Sequence, residues 1–134
     1  MTFGILGSGS WGTAIAKILT DNGQVIHWWN RSEQAIQQLM ETKHNSPYLS
    51  TTYFNTDLLR LTTDPGEVIR KSDCIVVAIP SAYVSSILLP LDKNIFIGNL
   101  EIIKSWKENK INIPFTFWTS TSRMNFSISS FGIL

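Results

Sequence analysis

Over its first hundred residues the chain switches repeatedly between two hydrophobic periods. Residues 2–7 (TFGILG) are a short, almost wholly apolar run, which predicts a buried strand. From Ser10 to about Leu19 the spacing turns helical, with Trp11, Ala14, Ile15, Ile18 and Leu19 assigned to one face. Asp21-Asn22-Gly23 stops that helix, since Gly23 suits a left-handed cap. QVIHWWN predicts a second strand, and Ser32 an N-cap for a helix carrying Ala35, Ile36, Leu39 and Met40. HNSPYLSTTYFNT reads as a loop and LLRLT as a third strand. Thr63 or Asp64 caps a short helix through EVIRKS, with Pro65 in its first turn. DCIVVAIP is the clearest strand, and its unbroken apolar run implies burial on both faces, as in a parallel sheet. SAYVSSILLPL predicts a helix broken at Pro90, and NIFIG one more strand.

Strands alternating with helices build βαβ units with right-handed crossovers. The expected fold class is therefore α/β, a Rossmann-type doubly wound parallel sheet over residues 1–98. Beyond Gly98 the chain changes character. Residues 99–134 hold no alanine and no aspartate, and scatter Ser and Thr among six aromatics without a sustained period. This tail reads as no recognisable domain; a helix near Glu101–Asn109 and an edge strand in FTFWTSTS are its two local expectations.

Composition narrows the class. At 134 residues the chain suits one domain, able to bury about two thirds of its unfolded surface. Apolar residues make up 43% and charged residues 16%, the balance of a globular chain. A formal charge of +1 gives no reason to expect nucleic acid or an anionic membrane as partner. The single cysteine, Cys74, lies in an apolar run, which predicts a buried, inert thiol and no disulfide framework. No apolar run approaches the roughly 20 residues of a membrane span, and no signal peptide is legible. The expected location is cytoplasmic. With two histidines and one cysteine no metal site is expected.

The candidate chemistry sits in GSGSWG, where Gly7, Gly9 and Gly12 follow the first strand and open the first helix. In that setting the first glycine permits a tight turn, the second lets backbone approach a pyrophosphate, and the third lets helix and strand pack closely. The helix N-terminus adds N–H groups and a partial positive charge. Gly7, Ser8, Gly9, Ser10 and Gly12 are thus expected to cradle a dinucleotide. The second strand ends in Asn30-Arg31, both expected at the cofactor, with no carboxylate to hold an adenosine ribose. An arginine fork there suits a 2′-phosphate, which favours NADP(H) while leaving NAD(H) open; the alternative is a solvated arginine. His27 is expected to pack on its strand, and His44 to be solvated in its loop.

GSGSWGTAIAKIL, WWNRS, HNSPYL, TTD and VVAIPSAYV together resemble the N-terminal domain of bacterial NAD(P)-dependent glycerol-3-phosphate dehydrogenases, over about residues 1–98. The resemblance implies interconversion of glycerol 3-phosphate and dihydroxyacetone phosphate, for phospholipid backbones. It implies that Ser10, Trp11, Arg31 and Tyr48 line the NADP(H) site, with Pro80 and Ser81 at a strand end beside the nicotinamide. Trp11 fits the core equally well, and Tyr48 fits a loop anchor. In this family the strand matching NIFI leads into a lysine, then into a large helical domain with the catalytic lysine. Here Glu101 falls in the first lysine's column and Lys104 lies three residues later. No catalytic residue is assigned. The tail suggests a truncated or frame-shifted gene, a chain inactive by itself, a phosphorylated substrate only with a second domain supplied, and self-association through bared surface.

Overall fold

The computed structural model describes residues 2–96 and the strand at 116–119. Four parallel strands, β1 (Phe3–Leu6), β2 (Ile26–Trp29), β3 (Leu59–Thr62) and β4 (Cys74–Val77), stand in the order β3-β2-β1-β4. They alternate with helices α1 (Ser10–Asp21), α2 (Glu33–Thr42), α3 (Pro65–Arg70) and α4 (Ser81–Leu88). The α/β class and the doubly wound parallel sheet are therefore observed. Among the described residues no helix is long and apolar enough to cross a membrane.

Each strand residue chooses a side by the two-residue period. Ile5, Ile26, Trp28, Leu59 and Val76 meet Ala16 of α1, Leu39 of α2 and Phe54 on one face. Leu6 and Ile75 meet Val68 and Ile69 of α3 and Val84 and Leu88 of α4 on the other. Burial on both faces explains why the strands read as continuous apolar runs. Two helices start where their side chains dictate. Ser32 Oγ accepts from Ala35 N at 3.2 Å, and Asp64 Oδ1 accepts from Gly66 N at 2.8 Å, with Pro65 at the first helical position.

Two expectations need correction. The buried face of α1 is Gly12, Thr13, Ala16 and Thr20, while Trp11 is 69% exposed and Ile18 is exposed too. Small residues win because this helix packs close to the sheet, so a Cβ on Gly12 would press into the Gly7 carbonyl. Trp11 is not core. The residues of NIFIG that are described belong to a 3₁₀ turn, Lys93–Phe96, not a strand. Asp92 diverts them: its Oδ1 accepts from Asn94 N at 2.9 Å and its carbonyl from Ile95 N at 3.2 Å. The place beside β4 goes instead to β5 (Thr116–Thr119), antiparallel to it, within the expected edge segment FTFWTSTS. The expected helix near Glu101–Asn109, and Glu101 and Lys104 themselves, lie outside the described residues.

Candidate functional site

At the carboxyl ends of β1, β2 and β4 lies a cleft of about 540 Å³. Open α/β sheets place ligands at this end, where the connections from β1 and β4 depart to opposite faces. It is lined by Gly7, Ser8 and Gly9 after β1, by Trp29 and Arg31 at the end of β2, by Asn45, Pro47 and Tyr48, and by Pro80 and Tyr83 after β4. Six expected site residues are thus brought together: Gly7, Ser8, Gly9, Arg31, Tyr48 and Pro80. Ser81 follows Pro80 directly as the first residue of α4.

The others stand elsewhere. Ser10, Trp11 and Gly12 open α1 without lining the cleft. Asn30 is only 2% exposed and holds the sheet instead, its backbone N–H donating to Thr62 O at 2.9 Å and its side chain to Trp28 O at 3.4 Å. His44, expected in solvent, is partly buried, with its ring centroid 4.1 Å from that of Tyr53. Its Nδ1 lies 3.1 Å from Thr52 O, and because a carbonyl only accepts, Nδ1 carries the proton.

The glycine loop is shaped by donors on its interior side. Gly7 adopts φ +116°, a conformation L side chains rarely reach. Its carbonyl accepts from Trp28 Nε1 at 2.9 Å, and Trp28 is fully buried and tilted against Phe54. The Ser8 carbonyl accepts from Asn45 Nδ2 at 3.3 Å. The Gly9 carbonyl accepts from Thr13 twice, from N at 2.9 Å and from Oγ1 at 2.7 Å. In a trans peptide the N–H points opposite to the C=O. Holding three successive carbonyls on these donors therefore turns the N–H groups of Ser8, Gly9 and Ser10 to the opposite side. No acceptor among the described residues takes any of the three.

A dinucleotide fits this arrangement on two counts. Three unspent N–H groups at a helix N-terminus match a pyrophosphate. A Cβ on Gly9 would meet nothing within 4 Å, so that position opens onto free space where a ligand's phosphate can approach the backbone. Arg31 is exposed, and no hydrogen bond or ion pair engages it among the described residues. The glycine spacing exposes none of Trp28, Thr13 and Asn45, which hold the loop. Their partners lie 21, 4 and 37 residues away, so only the Asn of HNSPYL gave any sign.

Cys74 is buried on β4. Burial, with the Asp73 charge beside it, pushes the thiol above its ordinary range, which makes it a poor nucleophile.

Comparison with known proteins supplies the family. Residues 2–109 match the model of the NAD-dependent glycerol-3-phosphate dehydrogenase N-terminus. A glycerol-3-phosphate dehydrogenase [NAD(P)+] of Thermoanaerobacter sp. is 33% identical over 128 positions, covering 83% of this chain and 38% of its own length. The corresponding Thermotoga sp. protein is 40% identical over 91 positions, covering 68% of this chain and 27% of its own. The crystal structure of glycerol-3-phosphate dehydrogenase from Coxiella burnetii superposes with a TM-score of 0.53 at 29% identity, over 60% of this chain and 24% of that one. The chain thus spans between about a quarter and two fifths of the length of the relatives it matches.

Proposed function

Since the chain belongs to the family of NAD-dependent glycerol-3-phosphate dehydrogenase N-termini, we propose that its cleft binds a nicotinamide dinucleotide. We further propose that it forms the cofactor-holding part of an enzyme interconverting glycerol 3-phosphate and dihydroxyacetone phosphate. The observation that carries this reading is the glycine loop, whose three carbonyls are held by interior donors and whose next three N–H groups no described residue engages. Ser8, Gly9 and Ser10 donate to the pyrophosphate, with the dipole of α1 behind them. Arg31 takes the adenosine 2′-phosphate in a charge-assisted pair, so NADP(H) is preferred and NAD(H) accepted. Tyr48 flanks the adenosine end, and Pro80 and Ser81 place the end of β4 beside the nicotinamide. Bound there, the cofactor supplies the hydride donor or acceptor. The chain's own part is to hold that ring at a fixed place and to screen it from water.

A second reading, a dinucleotide-binding chain without turnover of its own, is favoured by one observation. Among the described residues the titratable side chains lining the cleft are Arg31, Tyr48 and Tyr83, with no histidine, lysine or carboxylate. The proton of a substrate carbinol needs a base, most often a histidine, carboxylate or lysine.

Calorimetric titration tests the main reading: NADPH binds with one site per chain and more tightly than NADH, and absence of binding by both overturns it. Oxidation of NADPH by dihydroxyacetone phosphate, followed at 340 nm, separates the two readings. The 134-residue chain is expected to stay below about 1 s⁻¹, under the usual enzyme range, and faster turnover excludes the second.

A further inference from the structure

Two loops meet at the adenosine end of the cleft, and Asn45 joins them. On one side its carboxamide lies 2.6 Å from Thr13 Oγ1 and 3.3 Å from Ser8 O. Ser8 O can only accept, so the carboxamide presents its NH₂ to both atoms. Thr13 Oγ1 accepts one of these protons and donates its own to Gly9 O at 2.7 Å. Thr13 is fully buried, so the relay runs where an unmet polar group is costly. On the other side the Asn45 backbone carbonyl, which every substitution at this position keeps, accepts from Tyr48 N at 3.0 Å and Leu49 N at 2.9 Å. These two bonds close the turn that sets Pro47 and Tyr48 at the cleft.

We propose that Asn45 is a positioning residue that couples the two walls of the cleft, so that the cradle N–H groups and Tyr48 are set in place together. The ligand that reads both walls at once is the adenosine half of the dinucleotide, a phosphate on the loop with its nucleoside beside Tyr48. That identification rests on the dinucleotide reading above. The coupling itself rests on the hydrogen bonds, which join residues 32 and 37 positions apart. Asn45 itself borders the cleft, so its action through Ser8, Thr13 and the 45–49 turn is read first without ligand.

Two arms test it. In the ligand-free protein, amide exchange followed by NMR should show the Thr13, Tyr48 and Leu49 amides of Asn45→Ala exchanging together, about tenfold faster than in the parent, the scale of one lost hydrogen bond to a buried partner. The amides of β1 and β4 should keep their rates, which also shows that the variant is folded. Asn45→Asp favours the same turn yet has no proton to donate at neutral pH, so it should still speed exchange at Thr13. Thr13→Ser, which keeps the hydroxyl, should behave as the parent. Faster exchange confined to Tyr48 and Leu49, or an Asn45→Asp variant indistinguishable from the parent, overturns the coupling.

In the second arm 2′-phospho-ADP-ribose is titrated into the parent, Asn45→Ala, Tyr48→Ala and the double variant. Asn45→Ala is expected to bind about tenfold more weakly, with binding of reduced nicotinamide mononucleotide unchanged. Tyr48→Ala should then cost less in the Asn45→Ala background than in the parent. Fully additive losses overturn the coupling. A parent that binds neither probe defeats the dinucleotide reading, while the exchange arm still decides the coupling.

Discussion

The cleft at the carboxyl end of the sheet and a hollow of about 380 Å³ beside β3 are built from opposite chemistries. The hollow is rich in charge, lined by His27, Arg60, Glu67 and Lys71. Glu67 accepts from Lys71 Nζ and from Thr62 Oγ1, both at 2.7 Å, and these bonds hold its carboxyl below the usual range. Arg60 donates to the Asp57 and Leu59 carbonyls at 2.8 and 3.1 Å. Its donors and acceptors are largely spent on one another. Among the described residues the cleft has a single charged lining residue, Arg31, while the N–H groups of its glycine loop stay unengaged. Recognition depends on hydrogen-bonding capacity left unspent and held still, not on the number of charges.

The sharpest test of that contrast compares two glycines of one motif. Gly12→Val should destabilise folding by more than about 3 kcal/mol in denaturant titrations, because the new side chain has only the Gly7 carbonyl to move into. Gly9→Val should leave stability within about 0.5 kcal/mol, yet weaken NADPH binding at least about 100-fold by filling the phosphate's place. Equal NADPH binding by a folded Gly9→Val protein would break the cradle reading.

Charge comes next. Arg31→Ala is expected to weaken NADP(H) binding by about 1.5–3 kcal/mol and to leave NAD(H) nearly unchanged, as calorimetry with both would show. Losses equal for the two would remove the 2′-phosphate from the account. Lys71→Ala, in the charge-rich hollow, should move neither affinity.

Trp28→Phe probes the support beneath the loop. It removes the donor to the Gly7 carbonyl, and leaving that buried group unmet should cost about 1–2 kcal/mol of stability. An unchanged denaturation midpoint would mean the indole serves only as bulk.

The smallest effect belongs to His27. Burial first, then the nearby Lys71 and Arg60, hold its imidazole below the ordinary value of 6.5, against the opposing pull of Glu67. As pH falls through 6.5 the unfolded chain binds the proton before the folded one, so stability declines with acid. The depressed Glu67 carboxyl adds a loss in the same direction, but only below its ordinary value of 4.5. Denaturation midpoints at about pH 7.5 and 5.5 should therefore differ less in His27→Gln than in the parent.

Much of this architecture was legible because it is local. The glycine loop, the caps at Ser32 and Asp64 and the doubly apolar strands each declare themselves within a few residues. What hid was set by distance or by proximity to the sheet. Trp11 fitted core and cofactor site equally because bulk alone does not mark a buried face; close packing on the sheet demanded Gly12, Thr13 and Ala16. Asn30 looked like a ligand contact from its place at a strand end, but its amide closes the sheet. Asn45 and Trp28 act across 37 and 21 residues, and no spacing rule connects them to the loop.

Cys74 begins β4, paired with Phe3 of β1 on one side and Thr119 of β5 on the other. The chain's only cysteine is thus stationed between two neighbouring strands, with its thiol enclosed and its thiolate disfavoured. An alkylating reagent reaches it when the sheet parts, so the labelling rate counts openings of that part of the sheet. The protein carries a built-in chemical clock for its own breathing.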